Sequence, residues 1–220
     1  MASRRRVLRN MTGRPKTFDI DKLMDESVKL FWRQGYQGTS VRDIAKGANM
    51  TTGTLYNEFE GKEGLYAATV EHYFKKVMKP RVDTILLAKQ PAFLSANDVD
   101  SPVTRLKFFL VSSVENIPKQ VAYQSCLVLN TQNEFGKGDS LIQTAASNAS
   151  DYVAKALMRT VKEAKSLDLI NSVIPDREVL VLIQIFFSGL LMTAKHLKSS
   201  KNLVPAVEMF LKQLQYSPAV

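Results

Sequence analysis

A cluster of small polar side chains between Thr51 and Phe59 has the composition of a surface that makes hydrogen bonds to another molecule. In a helix, with about 100° of rotation per residue, Leu55 and Phe59 share the inner side, while Gly53 and Asn57 lie opposite. Hydroxyl and amide groups on an exposed face suit contacts with phosphate oxygens and base edges, and a glycine lets the backbone approach closely. The predicted contacts on this helix are Thr51, Thr52, Gly53, Thr54, Tyr56 and Asn57.

The residues before this face predict a second short helix that positions it. Ser40 is a helix-capping residue, and an acidic residue, Asp43, follows three positions later as in a capping box. An apolar stripe at helical spacing comes next, formed by Val41, Ile44, Ala45 and Ala48. Asn49 suits the left-handed conformation that ends a helix, and Thr51 can cap the next one. Two helices joined by such a turn form a helix-turn-helix. A hairpin inside a core is the alternative, but it would not leave so many polar groups facing outward.

The segment from Gly35 to Tyr66 resembles the DNA-binding region of the TetR family of bacterial repressors. The matching elements are Gly35-Tyr36, T-S-V-R-D-I-A, T-G-T-L-Y-x-x-F and G-K-E-G-L-Y. The chain departs from the family at Asn49, where glycine is usual, and at Glu58, where histidine is frequent. The resemblance implies a homodimer that binds a palindromic operator in double-stranded DNA and leaves it when a small molecule binds a second domain. It adds Thr39, Ser40, Arg42 and Lys62 to the expected DNA contacts.

Positive charge is concentrated at the N-terminus of this chain of 220 residues, whose net charge is +9. Residues 1–17 hold six Lys or Arg and no acid, whereas residues 18–62 hold six bases and seven acids. The two helices of the predicted helix-turn-helix are therefore not basic. Residues 1–17, the N-terminal arm, supply the positive electrostatic field that attracts nucleic acid. Arg14 lies between Gly13 and Pro15 in a thin extended element that suits a narrow minor groove. The alternative for the arm is a solubilising tail.

The composition argues against classes of protein other than a DNA-binding regulator. A single cysteine excludes an internal disulfide and favours a reducing cytoplasm. No apolar run reaches 18 residues without a polar break, so we expect no membrane span. An enzyme needs a nucleophile with a positioned base, or a metal cluster, and the two histidines lie far apart. We therefore expect no enzymatic activity, metal or cofactor. A helical scaffold would leave the basic arm and the polar face unexplained.

The helical periodicity predicts an all-α chain with three parts: a basic arm (1–17), a three-helix helix-turn-helix head (18–62) and a helical ligand-binding and dimerisation domain (63–220). Within the last part, residues 176–198 are apolar on every side of the predicted helix, which indicates burial on two sides. One side can face its own domain and the other a second chain. Together with residues 203–214, where the resemblance also places the dimer interface, they predict a homodimer.

The proposed sensor residues lie in the second domain, and each is equally compatible with an ordinary core position. They are Phe108, Phe109, Tyr123, Cys126, Asn130, Tyr152 and Lys195. The segment Ser-Cys-Leu-x-x-Asn around Cys126 resembles a Gly-Cys-Leu segment in a TetR subgroup that also shares the Gly-Arg-Pro arm. Some members of that subgroup respond to electrophiles or oxidants. Lys195 would lower the pKa of the thiol if it approached. The alternative is a buried cysteine that acts as a small hydrophobic group.

Overall fold

The computed structural model describes residues 19–88, 100–115, 126–197 and 200–215, and all regular secondary structure in these ranges is helical. The helices are α1 Ile20–Gly38, α2 Val41–Gly47, α3 Thr52–Phe59, α4 Lys62–Tyr73, α5 Lys79–Ile85, α6 Pro102–Glu115, α7 Leu127–Phe135, α8 Leu141–Ser166, α9 Asp176–His196 and α10 Val204–Gln215. One π-helical turn at Phe74–Met78 joins α4 to α5, and a 3-10 turn at Ser200–Leu203 precedes α10. The all-α prediction is confirmed.

Local sequence signals set several helix ends. The Asp19 carboxylate accepts the backbone N–H of Lys22 (3.1 Å) and caps α1. Ser140 and Gln143 form a reciprocal capping box at the start of α8. Gly35, with φ +72° and ψ 178°, interrupts the helical geometry near the end of α1. Such a conformation is essentially restricted to glycine, because a side chain would clash with the backbone.

The buried side chains form two clusters that share α8. One cluster joins α1–α4 to α7 and the first half of α8, and its most buried members include Leu23, Phe31, Ile44, Leu55, Tyr66, Leu127 and Ile142. The other joins α5, α6, the second half of α8, α9 and α10, around Leu110, Leu157, Ile183 and Val207. The first of these clusters is the head cluster. The sequence analysis began the second domain at residue 63 and so assigned helix α4 to it, but α4 packs inside the head cluster. The head rests directly on α7 and α8.

Helix α9 has two unlike faces. Val179, Ile183 and Leu190 are buried in the second core, whereas Val181, Leu182, Ile185 and Met192 are exposed. Among the described helices, only the segment Asp176–Ala194, with a mean hydropathy of 1.6, is long and apolar enough to cross a membrane by length and composition. The same composition is expected of a helix that packs on both sides.

Candidate nucleic-acid interface

The turn between α2 and α3 is built from local hydrogen bonds. The Ser40 hydroxyl accepts the backbone N–H of Asp43 (3.1 Å) and caps α2. At the other end Asn49 adopts φ +56°, and the backbone N–H of Met50 donates to the carbonyl of Ala45 (2.8 Å). These are the features of a Schellman motif, which ends a helix and reverses the chain. Thr51 then caps α3 by accepting the N–H of Thr54 (3.2 Å), as the sequence predicted.

Helix α3 exposes the predicted polar face. Leu55 is 1% exposed and anchors the helix in the head cluster. Tyr56 is 53% exposed, which is unusual for a large aromatic side chain. Thr54 is half-buried, and its hydroxyl lies 2.8 Å from that of Thr51. The other predicted contacts on this helix, Thr51, Thr52, Gly53 and Asn57, are exposed. The arrangement offers hydroxyl, phenol and amide groups on one surface, which are suitable partners for phosphates and base edges.

The remaining predicted contacts occupy different environments. Ser40 and Arg42 are exposed. Thr39 is only 1% exposed, and its hydroxyl donates to the carbonyl of Gly35 (2.7 Å). Its side chain therefore stabilises the turn into α2 and does not face solvent, which differs from the role expected of it. Arg14 lies outside the described residues.

Lys62, at the start of α4, lies against an aromatic ring. Its Nζ is 4.4 Å from the centroid of the Tyr36 ring, a cation–π geometry. The residue is half-buried, so the ammonium group remains within reach of the surface. This contact places a positive charge beside the end of α3 while fixing the lysine stem.

Helix α7 holds the head through contacts that the sequence did not reveal. The carboxylate of Glu134 accepts the backbone N–H groups of Tyr36 (3.1 Å) and Gln37 (3.2 Å) at the end of α1. The Tyr36 ring also packs edge-on against Phe135 (centroids 5.1 Å apart) and Tyr66 (5.3 Å). These groups are close only because α7 docks beside α1, 98 residues earlier in the chain.

A buried hydroxyl pair adds a second link between α4 and α7. The hydroxyls of Tyr66 and Thr131 lie 3.0 Å apart, and the Thr131 hydroxyl donates to the carbonyl of Leu127 (2.8 Å). The Tyr66 hydroxyl is therefore the donor in the pair. Burial raises the pKa of Tyr66 to about 12, so the phenol keeps this proton across the physiological range.

A capped helix pair with an exposed polar face on its second helix, seated on a larger helical domain, defines a helix-turn-helix DNA-binding head. Residues 23–69 match the model of the bacterial regulatory proteins of the tetR family. Over these residues the head is therefore similar to the domain that this family shares.

Relatives and solved structures agree with this assignment. The chain is 44% identical over 64 residues to the HTH-type transcriptional repressor ComR of Escherichia coli (strain K12), covering 29% of this chain and 30% of that protein. It is 23% identical over 143 residues to the HTH-type transcriptional repressor DhaR of Mycobacterium sp. (strain GP1), covering 65% of each. The chain thus spans less than two thirds of these two relatives.

The part of the chain that the structure describes has the fold of solved TetR regulators. One such structure is a cysteine mutant of the TetR family transcriptional regulator CifR complexed with 26-base-pair double-strand operator DNA. It superposes with a TM-score of 0.72 at 20% identity, covering 92% of this chain and all of that one. The expected architecture, a helix-turn-helix head followed by a helical domain, is confirmed.

The second domain contains a cavity of about 180 Å³ between α7, α8 and α9. Of the predicted sensor residues, Cys126 lies on its wall. Phe108 and Phe109 belong to the adjoining core, where the Phe109 ring is 5.2 Å from that of Phe187. Tyr152 donates its hydroxyl proton to Asp83.

Asn130 is not among the described residues that line this cavity. The backbone N–H of Asn130 donates to the carbonyl of Cys126 (2.9 Å) within the first turn of α7. Tyr123 and the side chain of Lys195 lie outside the described residues. Sequence reasoning missed the lining residues Met78, Gln132, Gln184, Phe187 and Ser188, because no local motif marks them.

The thiol of Cys126 lies in surroundings that favour its protonated form. Burial raises its pKa, although backbone N–H groups at the start of α7, the Tyr73 hydroxyl and the charge of Arg81 act in the opposite direction. The Cys126 Sγ lies 3.8 Å from the Met78 Sδ, a soft apolar contact. Within the described residues, no group of three or more His, Cys, Asp or Glu side chains has the geometry to hold a metal ion.

Proposed function

We propose that this chain is a TetR-type transcriptional repressor that binds a palindromic operator in double-stranded DNA and is released when a small molecule binds its second domain. The observation that carries the proposal is the exposed polar face of α3 on a TetR-family head. ComR and DhaR are both named transcriptional repressors, and the CifR structure contains operator DNA. Cytoplasmic location follows from this role, because the operator is chromosomal.

A homodimer through α9 and α10 is part of the proposal. In the single chain Ile185 on α9 is 65% exposed, and Met209 on α10 is exposed as well. Apolar surface of this kind on neighbouring helices is suited to burial against a second copy. A two-fold symmetric protein matches a palindromic site, because its two reading helices then face equivalent half-sites.

In this proposal the cavity influences the head by two routes. Met78, in the π-helical turn that continues α4, lines it. Gln132 lines it from α7, whose Glu134 holds the end of α1. A ligand that binds one arrangement of these helices more tightly than the other shifts the orientation of the head, and the two sites are coupled by that difference in affinity.

Selection of bound genomic fragments by the full chain tests DNA recognition and yields the operator. With that operator, Tyr56→Ala and Asn57→Ala should each weaken binding by about tenfold or more, because one good base contact contributes about 1–3 kcal/mol. Asn148→Ala, an exposed asparagine on α8, is the matched control and should bind like the wild type. Unchanged affinity in both α3 variants, measured by fluorescence anisotropy, would show that this face does not read DNA.

A second candidate mode of release is chemical modification of Cys126. Its position on the cavity wall supports this alternative, since an oxidised or alkylated sulfur there would add a bulky or polar group between α7 and α9. The raised pKa of the thiol opposes it, because the thiolate is the reactive form. Lys195 belongs to this candidate only as a sequence-based prediction.

A further inference from the structure

We infer that the cavity between α7, α8 and α9 selects a small uncharged molecule with a single ring or a comparable carbon skeleton and one or two hydrogen-bonding groups. The inference rests on the proposed function, in which an effector binds the second domain. It specifies which class of molecule that effector belongs to.

Among the described residues that line the cavity, the Cys126 thiol is the only ionisable group. Most of the wall is apolar, with Met78, Leu157 and Phe187 among its members. A charged ligand would lose hydration on entering, and the described lining residues offer it no opposite charge. Burial of an unpaired charge is strongly unfavourable, so carboxylates and amines are excluded from tight binding.

The polar lining groups are neutral and few. Gln132 on α7 and Gln184 on α9 both line the cavity, together with the hydroxyls of Ser150 and Ser188. Within the described part of the chain, neither glutamine side chain makes a hydrogen bond to another residue. Their amides can therefore donate to and accept from a ligand hydroxyl or carbonyl without breaking a protein contact.

The volume of the cavity suits a small ligand. A protein cavity of about 150 Å³ lined by apolar side chains accommodates benzene. The present cavity, at about 180 Å³, is slightly larger and holds one substituted ring. It is smaller than the pockets of about 300–1,000 Å³ that enclose drug-sized ligands.

Titration of the full chain with phenol, which is uncharged at neutral pH, tests the inference. Benzoate and benzylamine present the same ring with a negative or a positive charge. We expect phenol to raise the melting temperature and to bind at least about tenfold more tightly than either charged analogue. Equal or tighter binding of a charged analogue would overturn the inference, as would failure of phenol, benzyl alcohol and cyclohexanol to bind.

A pair of variants on α8 places the site. Ala154 lines the cavity, so Ala154→Met should fill it and weaken phenol binding by about tenfold or more, whereas Ser147→Met, at an exposed position on the same helix, should leave it unchanged. Equal binding to both variants would show that phenol binds elsewhere. If Ala154→Met does not fold, alkylation of the single cysteine decides instead: bound phenol must slow modification of Cys126 by N-ethylmaleimide in the wild type.

Failure of the ligand inference and failure of the proposed function give different experimental results. Operator binding by the unliganded chain without binding of any neutral probe would overturn only the ligand class. Binding of phenol without selection of any genomic fragment would instead overturn the proposed function.

Discussion

Replacement of Glu134 by glutamine tests whether α7 holds the DNA-binding head in place. The carboxylate accepts two backbone N–H groups, at 3.1 and 3.2 Å. A hydrogen bond to a charged acceptor contributes about 1.5–3 kcal/mol, and the exposure of Glu134 reduces this through solvent screening. Glu134→Gln preserves the shape but turns one acceptor oxygen into a donor that faces an N–H group. We expect a loss of about 1–2 kcal/mol in the free energy of unfolding.

Thermal unfolding and operator binding measure the effect. For a chain of this size the expected loss lowers the melting temperature by about 2–8 °C. Operator affinity should fall by up to about tenfold, because 1.4 kcal/mol corresponds to a factor of ten in an equilibrium constant. Asp151→Asn, an exposed position on α8, removes the same charge without touching the head and is the control. If both variants melt within about 1 °C of each other, the two bonds do not stabilise the head and the reasoning is refuted.

Four further perturbations address other parts of the molecule. Gly35→Ala places a Cβ 3.4 Å from Glu134 in a left-handed conformation, and the expected cost of about 1–3 kcal/mol should appear as a lower melting temperature; an unchanged one would show that the turn relaxes. Deletion of residues 1–16 should weaken operator binding and reduce the slope of log binding constant against log salt concentration by at least about 1; an unchanged slope would show that the arm does not contact DNA phosphates. Ile185→Glu should convert a dimer to a monomer in sedimentation experiments, while Leu141→Glu, equally exposed on α8, should not; a dimer that persists in both places the interface elsewhere. Cys126→Ser should abolish release by quinones or hypochlorite if the thiol is the sensor, and release that survives in this variant excludes chemical sensing.

Much of the DNA-binding head was predictable because its geometry is set by neighbouring residues. Ser40 and Thr51 cap helices through side chains that reach only three residues ahead. Asn49 adopts the left-handed conformation expected of it, and the period of the apolar residues placed Leu55 inward. Interactions between residues so close in sequence depend little on the rest of the fold. The exposed polar face of α3 could therefore be predicted from the spacing of apolar and polar residues alone.

The packing of α7 decided the features that the sequence did not predict. Thr39, expected to contact DNA, is buried, and its hydroxyl donates to the carbonyl of Gly35. The cavity likewise forms where three helices fail to fill the space between them, so its lining comes from separate parts of the chain. Helical periodicity shows which side of a helix is apolar, but not which other helix covers it.

The sequence by itself therefore determined the all-helical class, the caps at Ser40 and Thr51, the exposed polar face of α3 and the uneven distribution of charge. Only the tertiary structure showed that Glu134 accepts hydrogen bonds from the backbone of Tyr36 and Gln37, and that the same helix borders the cavity. The physical reason is the range of the interactions. Caps and apolar stripes depend on residues within one or two helical turns, whereas docking of α7 against α1 depends on the fit of whole surfaces nearly 100 residues apart.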